Sequence, residues 1–271
     1  MKYSFMTFSC PQCNLKELLE TAKRYGYDGI EPRIDSQHRH GIEINIAPAR
    51  RAEIKKQMDE SGLSFSCLAT SCVYADPETN SRNLAATLRC IDLAADIGAP
   101  IIRVFGGAIG KGLIRRDAVD LVAQSLHTVA GHAMERKVTV CMETHDDWCD
   151  PLQVGAVMQR VNHPAIAVNW DIMHPVRTKS ATMEQAFETL QPWIRHVHVH
   201  DGINTPDGKL VFMPIGKGMI DHQTAIERLC LSGYSGFISG EWIGWDDAYA
   251  VHLPRELAVM RKYEAEIIRK R

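Results

Sequence analysis

Eight times along the chain a short β-branched run gives way to a longer amphipathic stretch, and no other feature of the sequence constrains the fold as tightly. Strands are expected at 3–9, 29–34, 64–70, 101–107, 138–144, 166–171, 195–201 and 236–242. Helices follow at 15–25, 48–60, 78–97, 116–136, 151–161, from 182 onward, 222–231 and 247–271. The ends of these segments carry the right chemistry. Asn14-Leu-Lys-Glu17 and Thr182-Met-Glu-Gln185 read as capping boxes, Asp150-Pro151 as N-cap and first helical residue, and Gly26, Gly62 and Gly98 as helix stops. Strand–helix alternation in eight units predicts an α/β fold, a single (β/α)8 TIM barrel over residues 1–271. A doubly wound open sheet is the competing topology, but the first strand is not followed by the glycine-rich fingerprint that such a sheet would carry.

In such a barrel the chemistry sits at the carboxyl ends of the strands. Strand five ends at Glu143, strand six at Asp171, strand seven carries His198, and strand eight ends at Glu241. Neighbouring strands lie about 4.8 Å apart, so four inward side chains at one level can meet around a point. Three carboxylates meeting without a cation would repel one another. A divalent ion removes the conflict. Three oxygen donors and one imidazole suit Mn²⁺ or Mg²⁺ first, with Zn²⁺ or Co²⁺ as alternatives.

The stretch Arg195-His-Val-His-Val-His-Asp201 places His196, His198 and His200 on one strand face and the valines on the other. Joined to Glu143, to Asp171-x-x-His174 and to Gly236-Phe-Ile-Ser-Gly-Glu241, it resembles the xylose isomerase-like TIM barrel superfamily. That superfamily includes ketose 3-epimerases, hydroxypyruvate isomerases, inosose dehydratases and endonuclease IV. Tyr27-Asp-Gly-Ile-Glu31 and Pro214-Ile-Gly-Lys-Gly218 extend the likeness over nearly the whole chain.

The resemblance implies one metal held by Glu143, Asp171, His198 and Glu241, with the two glutamates doubling as acid and base. His145 and His174 would bond substrate oxygens. The implied activity is isomerisation or epimerisation of a ketose or related carbonyl sugar through an enediolate; a lyase or dehydratase on a keto-sugar or keto-inositol is the alternative. His200 stands where the family commonly has Lys, which alters how an anionic group would be held.

Other residues have weaker claims. Glu31 ends strand two and could reach substrate or brace the barrel mouth. Arg103, inside strand four, implies an ion pair with a neighbouring carboxylate or a substrate contact. His38 and His40 read as solvated loop residues, Trp242 and Trp245 as either a wall against a sugar ring or rim packing. Gly202–Gly218 is the longest irregular stretch and is expected to act as a lid. The loop Gly106-Gly-Ala-Ile-Gly-Lys-Gly112 fails the phosphate-loop pattern at both ends, with Phe105 and Gly112 in place of the required Gly and Ser/Thr.

Composition narrows the class further. A net charge of −2 argues against a nucleic-acid binder. Strands three and four end without histidine, and no Asp-x-His follows strand seven, so a phosphodiesterase of the endonuclease type is disfavoured. Eight cysteines spread through a chain of this size read as reduced thiols, and Cys10-x-x-Cys13 as structural, because a zinc knuckle needs a second pair at matching spacing. The absence of a membrane-length apolar run and of a secretory signal sets the expected location as cytoplasmic. The expected partner is a small carbohydrate, with no nucleic acid and no membrane, and self-association into a homo-oligomer is compatible with the sequence.

Overall fold

A computed structural model describes residues 1–245 and 247–270; Arg271, the expected end of the last helix, lies outside the described residues. The chain runs β1 (Lys2–Met6), α1 (Leu15–Tyr25), β2 (Gly29–Glu31), α2 (Pro48–Ser61), β3 (Ser64–Phe65), β4 (Leu68–Ala69) and α3 (Pro77–Ile97). It continues with β5 (Ile101–Phe105), α4 (Arg115–Glu135), β6 (Thr139–Glu143), α5 (Pro151–Val161), β7 (Ile166–Asp171), α6 (Met173–Arg177) and α7 (Met183–Leu190). The last third holds β8 (Ile194–Val199), β9 (Asp201–Asn204), β10 (Leu210–Met213), α8 (His222–Leu231), β11 (Phe237–Gly240) and α9 (Tyr249–Arg269).

The parallel sheet has the order β3-β2-β1-β11-β8-β7-β6-β5-β4. Its two ends, β3 and β4, are halves of one pass of chain. Ser66 donates its amide to the Ile30 carbonyl, Ala69 to Pro32 and Thr70 to Arg103, so this pass bonds to both neighbours and closes the ring. The result is an eight-stranded barrel wrapped by helices, a TIM barrel.

Local chemistry sets the helix ends. Asn14 Oδ1 accepts from the Glu17 amide at 3.1 Å while Glu17 Oε2 accepts from the Asn14 amide at 2.7 Å. Thr182 and Gln185 make the same reciprocal pair, and Asp76 and Asp150 cap helices that continue with proline. Helix α1 buries Leu15, Leu18, Leu19 and Ala22, the 3.6-residue stripe that packs on the barrel. Among the described residues no helix is long and apolar enough to cross a membrane.

Several expectations need correction. The third strand is broken at Ser66–Cys67 rather than continuous. The Gly202–Gly218 stretch is not irregular: β9 and β10 pair antiparallel within it. His40 is buried, bonding the Arg33 carbonyl and the Ile42 amide, and His38 is half-buried against the Thr7 hydroxyl. Of the two readings given for Trp242, the structure has packing: the side chain is buried against His252. The cysteines, by contrast, are free thiols as expected, with Cys10 and Cys13 both buried.

Two glycine-rich segments have packing reasons. A Cβ on Gly106 would collide with the Trp148 indole, which lies under this loop and donates Nε1–H to the Gly107 carbonyl at 2.8 Å. A Cβ on Gly218 would collide with the Asp201 carboxylate. That carboxylate is fully buried and accepts from the amides of Gly202, Gly216, Gly218 and Ile220. Asp201 is thus the peg onto which the segment following the β9–β10 hairpin is hung. Gly218→Ala is expected to unseat that segment and raise the rate of proteolytic cleavage around the 205–208 turn several-fold, about 1 kcal/mol of local stability; unchanged cleavage kinetics would show that Asp201 does not hold it.

Candidate metal centre

The barrel register delivers four polar side chains to one level. Glu143 closes β6, Asp171 closes β7 opposite His198 of β8, and His198 in turn faces Ser239 of β11, two residues before Glu241. One ligand atom from each of Glu143, Asp171, His198 and Glu241 lies within 4.8 Å of the other three, and all four residues are buried.

The His198 imidazole lies among three carboxylates. Its Nδ1 is 2.6 Å from Glu143 Oε1 and 3.5 Å from Glu241 Oε2, and its Nε2 is 2.9 Å from Glu31 Oε1. Glu31 gives its other oxygen to His196 Nε2 at 2.8 Å. Glu31, expected either to reach substrate or to brace the barrel mouth, is wholly buried, and both of its carboxylate oxygens are engaged by imidazoles. Arg103 is buried as well, with Nε 3.1 Å from Glu143 Oε2, one terminal amine donating to the Thr70 carbonyl at 2.7 Å, and the guanidinium lying over the Phe105 ring. Of its two expected roles, the structure has the ion pair.

His145, His174 and His200 gather on the other flank. The His145 and His174 rings are 4.4 Å apart between centroids, His174 and His200 5.3 Å, and His200 Nε2 is 2.8 Å from Asp171 Oδ2. His196, placed on this strand face by the sequence but given no role there, bonds Glu31, and Asn169 is the participant that sequence reasoning missed. Asn169 Nδ2 lies 3.0 Å from His198 Nδ1. Its position two residues before Asp171, on the same inward face of β7, was the available signal.

Burial alone would push these carboxyls up; the adjoining imidazoles outweigh it. Asp171, beside His200 and His174, is held well below the usual carboxylate range, Glu31 likewise beside His198 and His196, and Glu241 beside His198 is brought to about 2. Burial pulls His198 down, but Glu31 and Glu143 reverse this and hold it well above its ordinary value; at His200 Asp171 likewise outweighs burial and raises it.

The consequences for the metal-free protein have opposite signs. The carboxylates add stability that is complete above their unfolded values, about pH 4.5, and fades as pH falls toward their depressed ones. The imidazoles add stability that is complete below about pH 6.5 and is lost as pH rises through their raised values. The metal-free chain should therefore be most stable between those limits, as thermal melts across pH would record. A metal must displace the proton from His198 Nδ1, so affinity for a divalent ion is expected to rise about tenfold per pH unit while that imidazole is protonated. A metal titration giving equal affinities at acid and neutral pH would refute this.

The donor set fits a divalent cation. Glu143 Oε2, Asp171 Oδ2 and Glu241 Oε2 are buried beside Arg103, His200 and His198 but without a well-aligned hydrogen bond, so each keeps a lone pair that a cation could use. A parallel eight-stranded barrel with a buried cluster of residues that could hold a cation at its carboxyl mouth defines the class of protein.

The family model for the xylose isomerase-like TIM barrel matches residues 19–263. The chain belongs to that family. Its curated relatives include the L-ribulose-5-phosphate 3-epimerase UlaE of Shigella flexneri serotype 5b (strain 8401), 24% identical over 231 residues, covering 81% of this chain and 79% of the relative. Among solved structures, an L-ribulose 3-epimerase superposes with a TM-score of 0.80 at 18% identity, covering 99% of this chain and 96% of the other. The probable 3-DHS dehydratase AsbF of Bacillus anthracis superposes with a TM-score of 0.79 at 19% identity, covering 96% and 99%. At these identities the structural likenesses establish the fold.

Proposed function

We propose that the protein is a divalent-metal-dependent isomerase or epimerase acting on a ketose or related carbonyl sugar through an enediolate. The observation that carries this reading is the convergence of Glu143, Asp171, His198 and Glu241 on one buried point. These four would hold the ion, Mn²⁺ or Mg²⁺ by the preference of three oxygen donors for hard cations, with Zn²⁺ or Co²⁺ as alternatives. Bound there, it would polarise the ketose carbonyl and acidify the adjoining C–H.

The chain's own residues do the rest. One of Glu143 and Glu241 takes the proton from the substrate carbon and the other supplies one from the opposite face, giving epimerisation; return to the adjacent carbon gives isomerisation. Arg103 fixes the Glu143 carboxylate, and Glu31 fixes His198. His145, half-exposed at the mouth, and His174 bond substrate oxygens. The partner is a small carbohydrate. The place of action is the cytoplasm, and a homo-oligomer is compatible with the reading.

The second reading, a lyase or dehydratase on a keto-sugar or cyclic ketone, is favoured by the likeness to the dehydratase and shares the same enolate. Proton NMR in D₂O with the Mn²⁺-loaded protein and a panel of ketoses separates the two. Deuterium uptake at a carbon beside the carbonyl with the skeleton intact supports the isomerase; loss of water supports the lyase. No exchange with any ketose would contradict both.

A further inference from the structure

Strand pairing continues beyond the end of β2 and carries a cation to the barrel mouth. Ala69 donates its amide to the Pro32 carbonyl, Ile34 donates to Ala69, and Arg33 bridges Ala69 in parallel register. Residues two apart on an extended chain share a face, so Arg33 stands on the same side as Glu31, whose carboxylate points inward at His196 and His198. Two extended residues advance about 6.6 Å, which sets Arg33 one layer above Glu31. That rise is comparable to the stretch of a pentose or hexose from its carbonyl to its far end.

The Arg33 guanidinium is partly buried and is held by neutral acceptors. Nη1 donates to the carbonyls of Ile34 and Ala69, and Nη2 donates to the exposed Ser71 hydroxyl at 2.6 Å. A guanidinium has five N–H groups, so two, that of Nε among them, remain for another acceptor. Asp35, Glu241 and Glu43 favour its charge only from a distance, and among the described residues no carboxylate forms an ion pair with it. Arg103, the other guanidinium at this end of the barrel, is already paired with Glu143. Burial and the like charge of Arg103 bring the Arg33 pKa down to about 10, and burial and the Arg33 charge in turn hold His38 below its ordinary value. A partly desolvated cation without a counter-charge is costly, and an anion seated on its free N–H groups removes that cost.

We propose that Arg33, with the Ser71 hydroxyl beside it, binds an anionic group, a phosphate ester or a carboxylate, at the end of the sugar remote from the reacting carbonyl. The planar fork of a guanidinium pairs with two oxygens of either group. Held there, the sugar enters in one direction only, and neutral sugars of the same length leave the charge unpaired. The inference rests on the ketose reading of the metal centre and adds to it the class of ketose.

The test is isothermal titration of the Mn²⁺-loaded full chain with D-fructose, D-fructose 6-phosphate and 5-keto-D-gluconate, three six-carbon probes that differ in the charge at the remote end. At least one anionic probe is expected to bind about ten- to a hundredfold more tightly than fructose, the range of one charge-assisted contact. Preference for the phosphate ester or for the carboxylate identifies the source of the charge. In Arg33→Gln the preference should collapse to about one, and Arg33→Lys, which keeps the charge without the fork, should retain part of it. Equal affinities for all three probes in the wild type, or an undiminished preference in Arg33→Gln, would overturn the proposal. Either result leaves the ketose reading standing, because deuterium uptake is read separately. Failure of all three probes to bind would overturn the two together. The wild-type comparison stands even if neither variant folds.

Discussion

Glu143→Gln is expected to leave the barrel folded and abolish function, with turnover falling about 10²–10⁴-fold and bound metal lost or greatly weakened. The substitution is nearly isosteric, so packing at the end of β6 is preserved. It removes one of the negative charges that make the pocket a cation site and one of the two carboxylates available for proton transfer. Arg103 keeps its bond to the Thr70 carbonyl, and repulsion among the remaining carboxylates falls, so the fold survives. Circular dichroism, elemental analysis and a deuterium-exchange assay on the purified variant check the three parts. Full activity with a normal metal content would remove Glu143 from the centre.

The second large effect is expected at a residue that touches neither metal nor sugar. Glu31 Oε1 accepts from His198 Nε2, which fixes the ring and leaves Nδ1, beside Glu143 and Glu241, as the nitrogen that gives up its proton to a metal. A Gln at position 31 can present its amide N–H to Nε2 and favour the other tautomer, in which Nδ1 carries the proton. Loss of such an orienting carboxylate typically costs 10–100-fold in metal affinity, and that is the expected drop for Glu31→Gln. Nitrogen-15 NMR of the histidines in the metal-free proteins supplies the structural readout: the doubly protonated His198 of the wild type should give way to the neutral Nδ1–H tautomer in the variant. Unchanged affinity and protonation would reduce Glu31 to a core ion pair.

These two residues also show how far the sequence could be read. Glu143 was legible because a strand terminus is a local property: the β-branched run at 138–144 and the Asp150-Pro151 cap after it fix where β6 ends. Glu31 was placed correctly at the end of β2, but its role depends on His196 and His198, 165 and 167 positions away. No periodicity encodes a pairing across the barrel. The β9–β10 hairpin was present as a signal and passed over. Thr205-Pro-Asp-Gly208 is turn chemistry, and Leu210–Met213 is an apolar run short enough to be taken for loop. The break between β3 and β4 had no signal, because it arises from ring closure and not from the residues at 66–67. His40 read as solvated since histidine is usually exposed in loops; here its ring is buried by the Arg33 carbonyl and the Ile42 amide, which use both of its nitrogens.

The direct test of the account is anomalous diffraction at the manganese edge from crystals grown with Mn²⁺ in excess. The expected result is a peak about 2.1–2.2 Å from oxygens of Glu143, Asp171 and Glu241 and from Nδ1 of His198. Clean maps with no peak there, or with those side chains turned away from one another, would contradict it.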